Sequence, residues 1–188
     1  DSDTPGTYTL TYTATDAAGN TATAKRTVTV AERDPLTYLV EGNTVIVTDC
    51  DVSFVGELVI PSSYQGKPLT KIGDNAFKDC SSLSSVTIPD SVTSIGERAF
   101  FDCEGLTSVT IGKSVASIGF EAFYHCKRLS SVTIPDSVTS IGEGAFHGCQ
   151  SLASLTIGDS MKNIGRWAFA GSSLANVTIP KSVTTIDR

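Results

Sequence analysis

The sequence predicts a repeat solenoid, a stack of short coils with parallel strands, and three observations predict it. An Ile-Gly pair returns every 23 residues, at Ile72, Ile95, Ile118, Ile141 and Ile164, and an Ala-Phe pair begins three residues after each Gly. A fixed period of this length marks units that bury their apolar face only against their neighbours. Second, Leu83, Val86 and Ile88 recur as Leu106, Val109 and Ile111, as Leu129, Val132 and Ile134, as Leu152, Leu155 and Ile157, and as Leu174, Val177 and Ile179, while the residues between them drift. Those columns are the expected core. Third, Val86-Thr87-Ile88 alternates with the period of a half-buried strand and is closed by Pro89, its equivalents closing in Gly112, Pro135, Gly158 and Pro180.

Residues 1–33 are a different kind of sequence. Tyr8, Leu10, Tyr12 and Ala14 alternate with Thr, a turn follows at Asp16-Ala-Ala-Gly19-Asn20, and Ala22, Ala24, Arg26, Val28 and Val30 alternate after it. Period and turn chemistry predict an all-β hairpin preceding the solenoid. Asp3-Thr-Pro-Gly6-Thr-Tyr8-Thr-Leu10 resembles the entry to the penultimate strand of bacterial immunoglobulin-like domains, with Tyr8 at the tyrosine corner and Leu10 where a Cys often stands. The resemblance implies the C-terminal strands of a truncated domain, with Glu32-Arg-Asp-Pro35 as the linker. A lone hairpin is marginal in water, so strands are expected to precede it, or it leans on another surface.

Residues 34–71 read as an N-terminal cap and a first irregular coil. Thr37-Tyr-Leu-Val40 and Thr44-Val-Ile-Val47 flank Glu41-Gly-Asn43, a hairpin signal, and Leu58-Val-Ile60-Pro61 opens the first coil. The excess length around Tyr64-Gln-Gly-Lys-Pro68 predicts a bulging loop. A cap is required because a first coil would otherwise present a bare strand edge. Residues 72–188 are the repeats. In each, a stretch such as Ala99-Phe100-Phe101-Asp102-Cys103, with Phe and Cys three apart, predicts a short helical turn opposite the strand.

The pattern Val-Thr-Ile-Pro-x-Ser-Val-Thr-x-Ile-Gly-x-x-Ala-Phe-x-x-Cys, running over five copies from Leu58 to Ile186, resembles the BspA-like class of leucine-rich repeats, found chiefly on surface proteins of bacteria and some parasitic protists. The resemblance implies a right-handed leucine-rich repeat coil on a cell surface or secreted. It also implies adhesion to host proteins, matrix or other cells, with an architectural spacer or a glycan-binding module as the alternatives. It carries no catalytic motif. Asp1 is not Met and the last copy stops before an Ala-Phe turn, so the chain is expected to be a piece of a longer exported protein with its C-terminal cap missing.

Composition narrows the partners. The net charge of −6 and the scattered Lys and Arg argue against nucleic acid or an anionic membrane surface, and no apolar run reaches membrane-spanning length. Gly-x-Ser-x-Gly, His-Glu-x-x-His and a Gly-rich phosphate loop are all absent from the sequence, so an enzyme is not expected and neither is a cofactor. Cys80, Cys103, Cys126 and Cys149 fall at the repeat period, with Cys50 in the cap. Export permits disulfides, yet a column in an apolar motif, omitted at Gly171-Ser172 with a one-residue deletion, reads as buried thiols. His125 and His147 are one position out of register in neighbouring coils and read as surface residues, so no metal site is expected.

Two surfaces remain as candidate binding sites. Phe101, Tyr124 and His147 occupy one variable column in consecutive coils, flanked by Lys78 and Ala170, with Phe120 and Trp167 nearby. Together they form a candidate aromatic patch for a protein ligand, the alternative being padding of the hydrophobic edge or contact with a neighbouring domain. Thr87, Thr110, Thr133, Thr156 and Thr178 form an uncharged ladder on the outer strand face. Strand propensity and hydroxyl pairing explain it, and a platform for a peptide or glycan is its second role. End-to-end or hairpin-mediated self-association is a further expected contact.

Overall fold

The computed structural model describes residues 6–30 and 34–187, so the Asp3-Thr-Pro5 entry and residues 31–33 of the expected linker region lie outside the described residues. The chain divides into two compact units, Asp1–Pro35 and Leu36–Arg188.

The first unit is a hairpin of β1 (Gly6–Thr15) and β2 (Thr21–Val30), paired antiparallel from Gly6↔Val30 to Thr15↔Thr21. Its turn is organised by Asp16. The carboxylate accepts the N–H groups of Ala18 and Asn20 and the Asn20 side-chain amide, each at 2.9 Å. These bonds, that of the Asn20 side chain first, hold the Asp16 carboxyl below its ordinary value. Gly19 supplies the left-handed backbone, at φ 85°. Tyr8, Leu10 and Tyr12 share one face with their partners Val28, Arg26 and Ala24, and all three of the former are exposed.

The second unit opens with the expected cap. β3 (Leu36–Glu41) and β4 (Thr44–Cys50) pair antiparallel around Gly42-Asn43, and a bulge interrupts them between Thr37 and Tyr38. After β5 (Gly56–Val59), the expected loop at residues 64–68 is a small hairpin instead. β6 (Ser63–Tyr64) turns through Gln65-Gly66, both at positive φ, into β7 (Lys67–Ile72). Turn chemistry and the stacking of Tyr64 on Tyr38, with centroids 4.1 Å apart, fix what length alone leaves open.

The repeats then lay down two parallel ladders. The long strands β8 (Leu83–Thr87), β10 (Ser108–Thr110), β12 (Ser131–Ile134) and β14 (Ser154–Ile157) stack onto β5. The two-residue strands β9 (Ser94–Ile95), β11 (Ser117–Ile118), β13 (Ser140–Ile141), β15 (Asn163–Ile164) and β16 (Thr185–Ile186) continue the cap sheet from β7. Up to the last copy the Leu, Val, Ile, Phe and Cys columns are buried between them, Ile88 and Ile134 at 1% exposure, with Val109, Leu155 and Phe169 half-buried, and among the described residues no polar side chain is buried with them. Phe77, Phe100, Phe123, Phe146 and Phe169 form a stack with centroids 4.6, 4.9, 5.0 and 5.6 Å apart, close to the spacing of hydrogen-bonded strands. The Gly of each Ile-Gly pair is required by backbone approach. A Cβ on Gly142 would meet the Gly119 carbonyl carbon and the Phe120 nitrogen at 2.6 Å.

Two further expectations are corrected. The turn after each Phe is not helical. Residues such as Asn75 and Asp79, or Arg98 and Asp102, have φ between 51° and 63°, which ends any helix within one turn. Alternate N–H groups cross to the next coil, as in Asn75 to Glu97 (2.9 Å), Phe77 to Ala99 (2.7 Å) and Asp79 to Phe101 (2.9 Å), and those between them close single turns, as in Lys78 to Asn75 (3.0 Å) and Cys80 to Phe77 (3.2 Å). The second correction concerns the last copy, where no strand forms at residues 176–179 and Val177 and Ile179 are exposed. The shortened turn at Gly171-Ser172 shifts that coil before it rejoins the second ladder at Ile164↔Ile186.

All five cysteines are free and buried. The thiols of Cys103, Cys126 and Cys149 donate to the carbonyls of Phe77, Phe100 and Phe123 in the preceding coil, at 3.0, 3.3 and 3.2 Å. The column thus needs a small apolar residue that also donates a weak hydrogen bond. Burial pushes the Cys103 and Cys126 thiols up, which keeps them protonated.

Candidate functional site

The left-handed turn sets out the aromatic column. Because each turn is registered on the next coil by its backbone bonds, residues 23 apart lie directly over one another. Phe101 stacks on Tyr124 with centroids 4.9 Å apart and 3° between planes, and Tyr124 on His147 at 5.0 Å and 10°. Lys78 and Arg98 each sit 5.7 Å from the Phe101 centroid. Arg98 also lies 5.2 Å from the Phe120 centroid and is anchored by Glu121 at 2.7 Å, so it ties Phe120 to the stack.

Of the five aromatic candidates, the structure thus joins four in one strip: Phe101, Phe120, Tyr124 and His147, all half-buried. Trp167 is 59% exposed and its described ring contact is with Arg166, at 5.4 Å, so it stands apart from the stack. The rings lie face to face along the axis. Faces are spent on each other, and the edges are what the strip offers to solvent.

Sequence reasoning left His125 out of this strip. Its ring lies 4.1 Å from Tyr124 and 6.3 Å from His147, centroid to centroid, and its Nδ1 is 3.1 Å from Asp102 Oδ1. The signal was present in the column Asp79, Asp102, His125, Gly148 and Gly171, whose members all take the left-handed conformation. A Cβ on Gly148 would collide with the His125 ring, so this Gly gives the imidazole room to lie flat. Among the described residues no group of three or more His, Cys, Asp or Glu is placed to hold a metal ion.

The Thr ladder behaves differently from its uniform sequence. Thr87, Thr110, Thr133, Thr156 and Thr178 are all exposed. Thr87 pairs with Thr110, and Thr133 with Thr156, in continuous ladders. Between β10 and β12 only Ser108↔Ser131 is paired, and β14 meets no strand in the copy after it. Each interruption opens a cleft. One, of about 400 Å³, is lined by Thr110, Ile111, Thr133 and Pro135 among others, and the second, of about 270 Å³, by the equivalent Thr156, Ile157, Thr178 and Pro180.

Comparison with known proteins fits this geometry. Residues 70–188 match the BspA type leucine rich repeat region, in six copies, and residues 1–30 match the Ig-like domain of bacterial surface proteins. No curated protein matches the chain. Among solved structures, a leucine-rich repeat protein of T. pallidum is 30% identical with a TM-score of 0.75, over 80% of this chain and 71% of that one. A leucine-rich cell surface protein of Faecalibacterium prausnitzii is 33% identical with a TM-score of 0.59, over 83% of this chain and 50% of that one. The pneumococcal vaccine antigen PcpA is 26% identical with a TM-score of 0.67, over 83% of this chain and 45% of that one. This chain therefore spans about half the length of the latter two.

Proposed function

This chain belongs to the BspA-type leucine-rich repeat family, and we propose that it is a non-enzymatic binding module displayed outside the cell, which holds a protein ligand on the aromatic strip of its solenoid. The fold itself supports a protein-interaction or surface role. The finer reading rests on one observation. The core columns are nearly invariant from coil to coil, whereas the column carrying Lys78, Phe101, Tyr124, His147 and Ala170 changes at every step and still gathers three stacked rings with two cations over one end. Aromatic and Arg groups held rigid beforehand are the residues that carry interface energy, because little side-chain entropy is left to lose on contact. The match of residues 1–30 to the Ig-like domain of bacterial surface proteins fits display outside the cell.

The test is a surface-plasmon screen of the full chain against host matrix proteins and glycans, followed by the double substitution Phe101→Ser, Tyr124→Ser. The double substitution removes two stacked contacts, Phe101 on Tyr124 and Tyr124 on His147, each about 0.5–1.5 kcal/mol beyond lost burial, and a thermal melt checks that the solenoid stays folded. Binding of the protein hit falls by about tenfold or more if the strip is the contact. Undiminished binding would move the site elsewhere, and a screen without any protein hit would favour an architectural spacer.

A further inference from the structure

The chain has two histidines, and both come to the His147 end of the aromatic strip. We propose that His125 and His147 bind a late first-row divalent metal ion, Ni(II), Cu(II) or Zn(II), with Asp102 orienting His125 from behind. The site does not depend on the strip holding a protein ligand. In the sequence the two histidines stand 22 residues apart, one short of the repeat, so register alone puts them in different columns. The turn closes that offset. The His125 N–H donates to the His147 carbonyl at 2.8 Å, which ties the two backbones across the coils. His125 takes the left-handed conformation, at φ 55°, and its ring lies over Gly148 of the next coil, where a Cβ would collide with Cδ2 and stand 3.0 Å from Nε2. Gly148 adjoins His147, so one imidazole comes beside the other, with centroids 6.3 Å apart and 37° between planes.

Ligation needs a lone pair in the right place, and Asp102 decides which nitrogen has it. His125 Nδ1 lies 3.1 Å from Asp102 Oδ1. An ionised carboxylate only accepts, so the neutral ring carries its proton on Nδ1 and leaves Nε2, on the side of the next coil, as the ligand. A carboxylate behind an imidazole in this way fixes the ring and raises the basicity of the ligating nitrogen. It also brings a negative charge that two neutral ligands lack. The His147 ring has one face on Tyr124, and among the described residues its nitrogens make no hydrogen bond, so its edge is available. Lys127 in the same turn is held by Glu104 at 2.7 Å.

Distance and ligand type choose the ion. Two imidazoles on one metal, each bound at about 2.1 Å, have centroids roughly 5–6.5 Å apart as the angle at the metal opens from about 100° to 180°. The observed 6.3 Å lies within that range. Imidazole nitrogen suits Ni, Cu and Zn, whereas Ca and Mg take oxygen ligands. The cysteines, which would favour softer ions, are buried in the core. Two protein ligands leave the rest of the coordination shell to water, which reaches the site because the His125 side chain is 36% exposed. A bound ion clips one coil to the next and keeps positions open for a donor from outside.

The experiment is a calorimetric titration of the full chain with nickel chloride at neutral pH, repeated on His125→Asn, His147→Asn, Asp102→Asn and, as a control, Glu104→Gln. Asn accepts the left-handed backbone that residues 102 and 125 adopt, and a thermal melt checks that each variant remains folded. Nitrogen-edited NMR spectra locate the paramagnetic ion by the amide signals it broadens. The expected result is one saturable site, with broadening centred on residues 125, 147 and 148. Affinity should fall about tenfold in Asp102→Asn, further in either His variant, and not at all in Glu104→Gln. The inference is overturned if nickel does not bind saturably, if either His variant binds as tightly as the parent, or if the broadening centres elsewhere. Parental affinity in Asp102→Asn, or an equal loss in Glu104→Gln, would overturn the role given to Asp102.

Discussion

Replacing Phe123 by Ala tests whether the buried ring stack holds the coils together. Phe123 is fully buried, with Phe100 4.9 Å to one side and Phe146 5.0 Å to the other, both within 4° of parallel. Truncating a buried Phe costs about 3–5 kcal/mol through lost transfer energy and the cavity left behind. That range already includes part of the two stacking contacts, each about 0.5–1.5 kcal/mol by itself, so the upper half, about 4–5 kcal/mol, is expected. The cavity cannot close by side-chain motion alone, because the coils above and below are pinned by Phe100 N–H to Ala122 C=O and Phe123 N–H to Ala145 C=O, both at 2.7 Å. In a unit of this size each kcal/mol lowers the melting temperature by about 2–4 °C, so circular dichroism should record a fall of roughly 8–20 °C. A solenoid is a chain of neighbour interfaces, so the variant should also broaden the transition as coils on either side of residue 123 begin to melt separately. A fall of less than about 3 °C with an unbroadened transition would refute the reasoning, because the rings would then be neighbours without being coupled.

Three further outcomes follow from the same geometry. Gly142→Ala drives a methyl into the backbone of Gly119 and Phe120 and should cost about 1–3 kcal/mol in a denaturant titration, whereas Gly19→Ala in the hairpin, where nothing lies within 4 Å, should leave the solenoid transition where it is. Ellman's reagent at pH 8 should find almost no reactive thiol in the native protein and all five after denaturation without reductant; one free thiol in the denatured protein would mean that the column is bridged. Asp16 has a folded value below its ordinary 3.8, so its support of the hairpin turn is complete above that pH and is lost as the pH falls through the lower folded value. The amide resonances of Ala18 and Asn20 should therefore shift on acidification to below pH 3.8 while those of the buried strands stay fixed, and Asp16→Asn should abolish the effect.

The sequence by itself determined the period, the core columns of the copies before the last, the hairpins at residues 6–30 and 36–50 with their turn residues and the burial of the cysteines, because each follows from apolar spacing or turn chemistry local to one stretch of chain. It could not give what depends on how one coil meets the next. The two-residue ladder at Ser94-Ile95 and its equivalents is too short to carry an alternation of its own, and exists only because the coils stack in register. The turn after each Phe has the Phe-Cys spacing of a helix, yet every other amide bonds to the neighbouring coil, and Arg98 and Asp102 accept positive φ to reach it. Phe101 and Tyr124 were legible as neighbours; their half-burial was not, because it comes from stacking on each other. The alternation of Gly112, Pro135 and Gly158 was visible as a pattern without a consequence. Only in the stack does a missing Cβ on one coil and a missing N–H on the next become an open cleft, since close approach and ladder pairing are properties of two coils together.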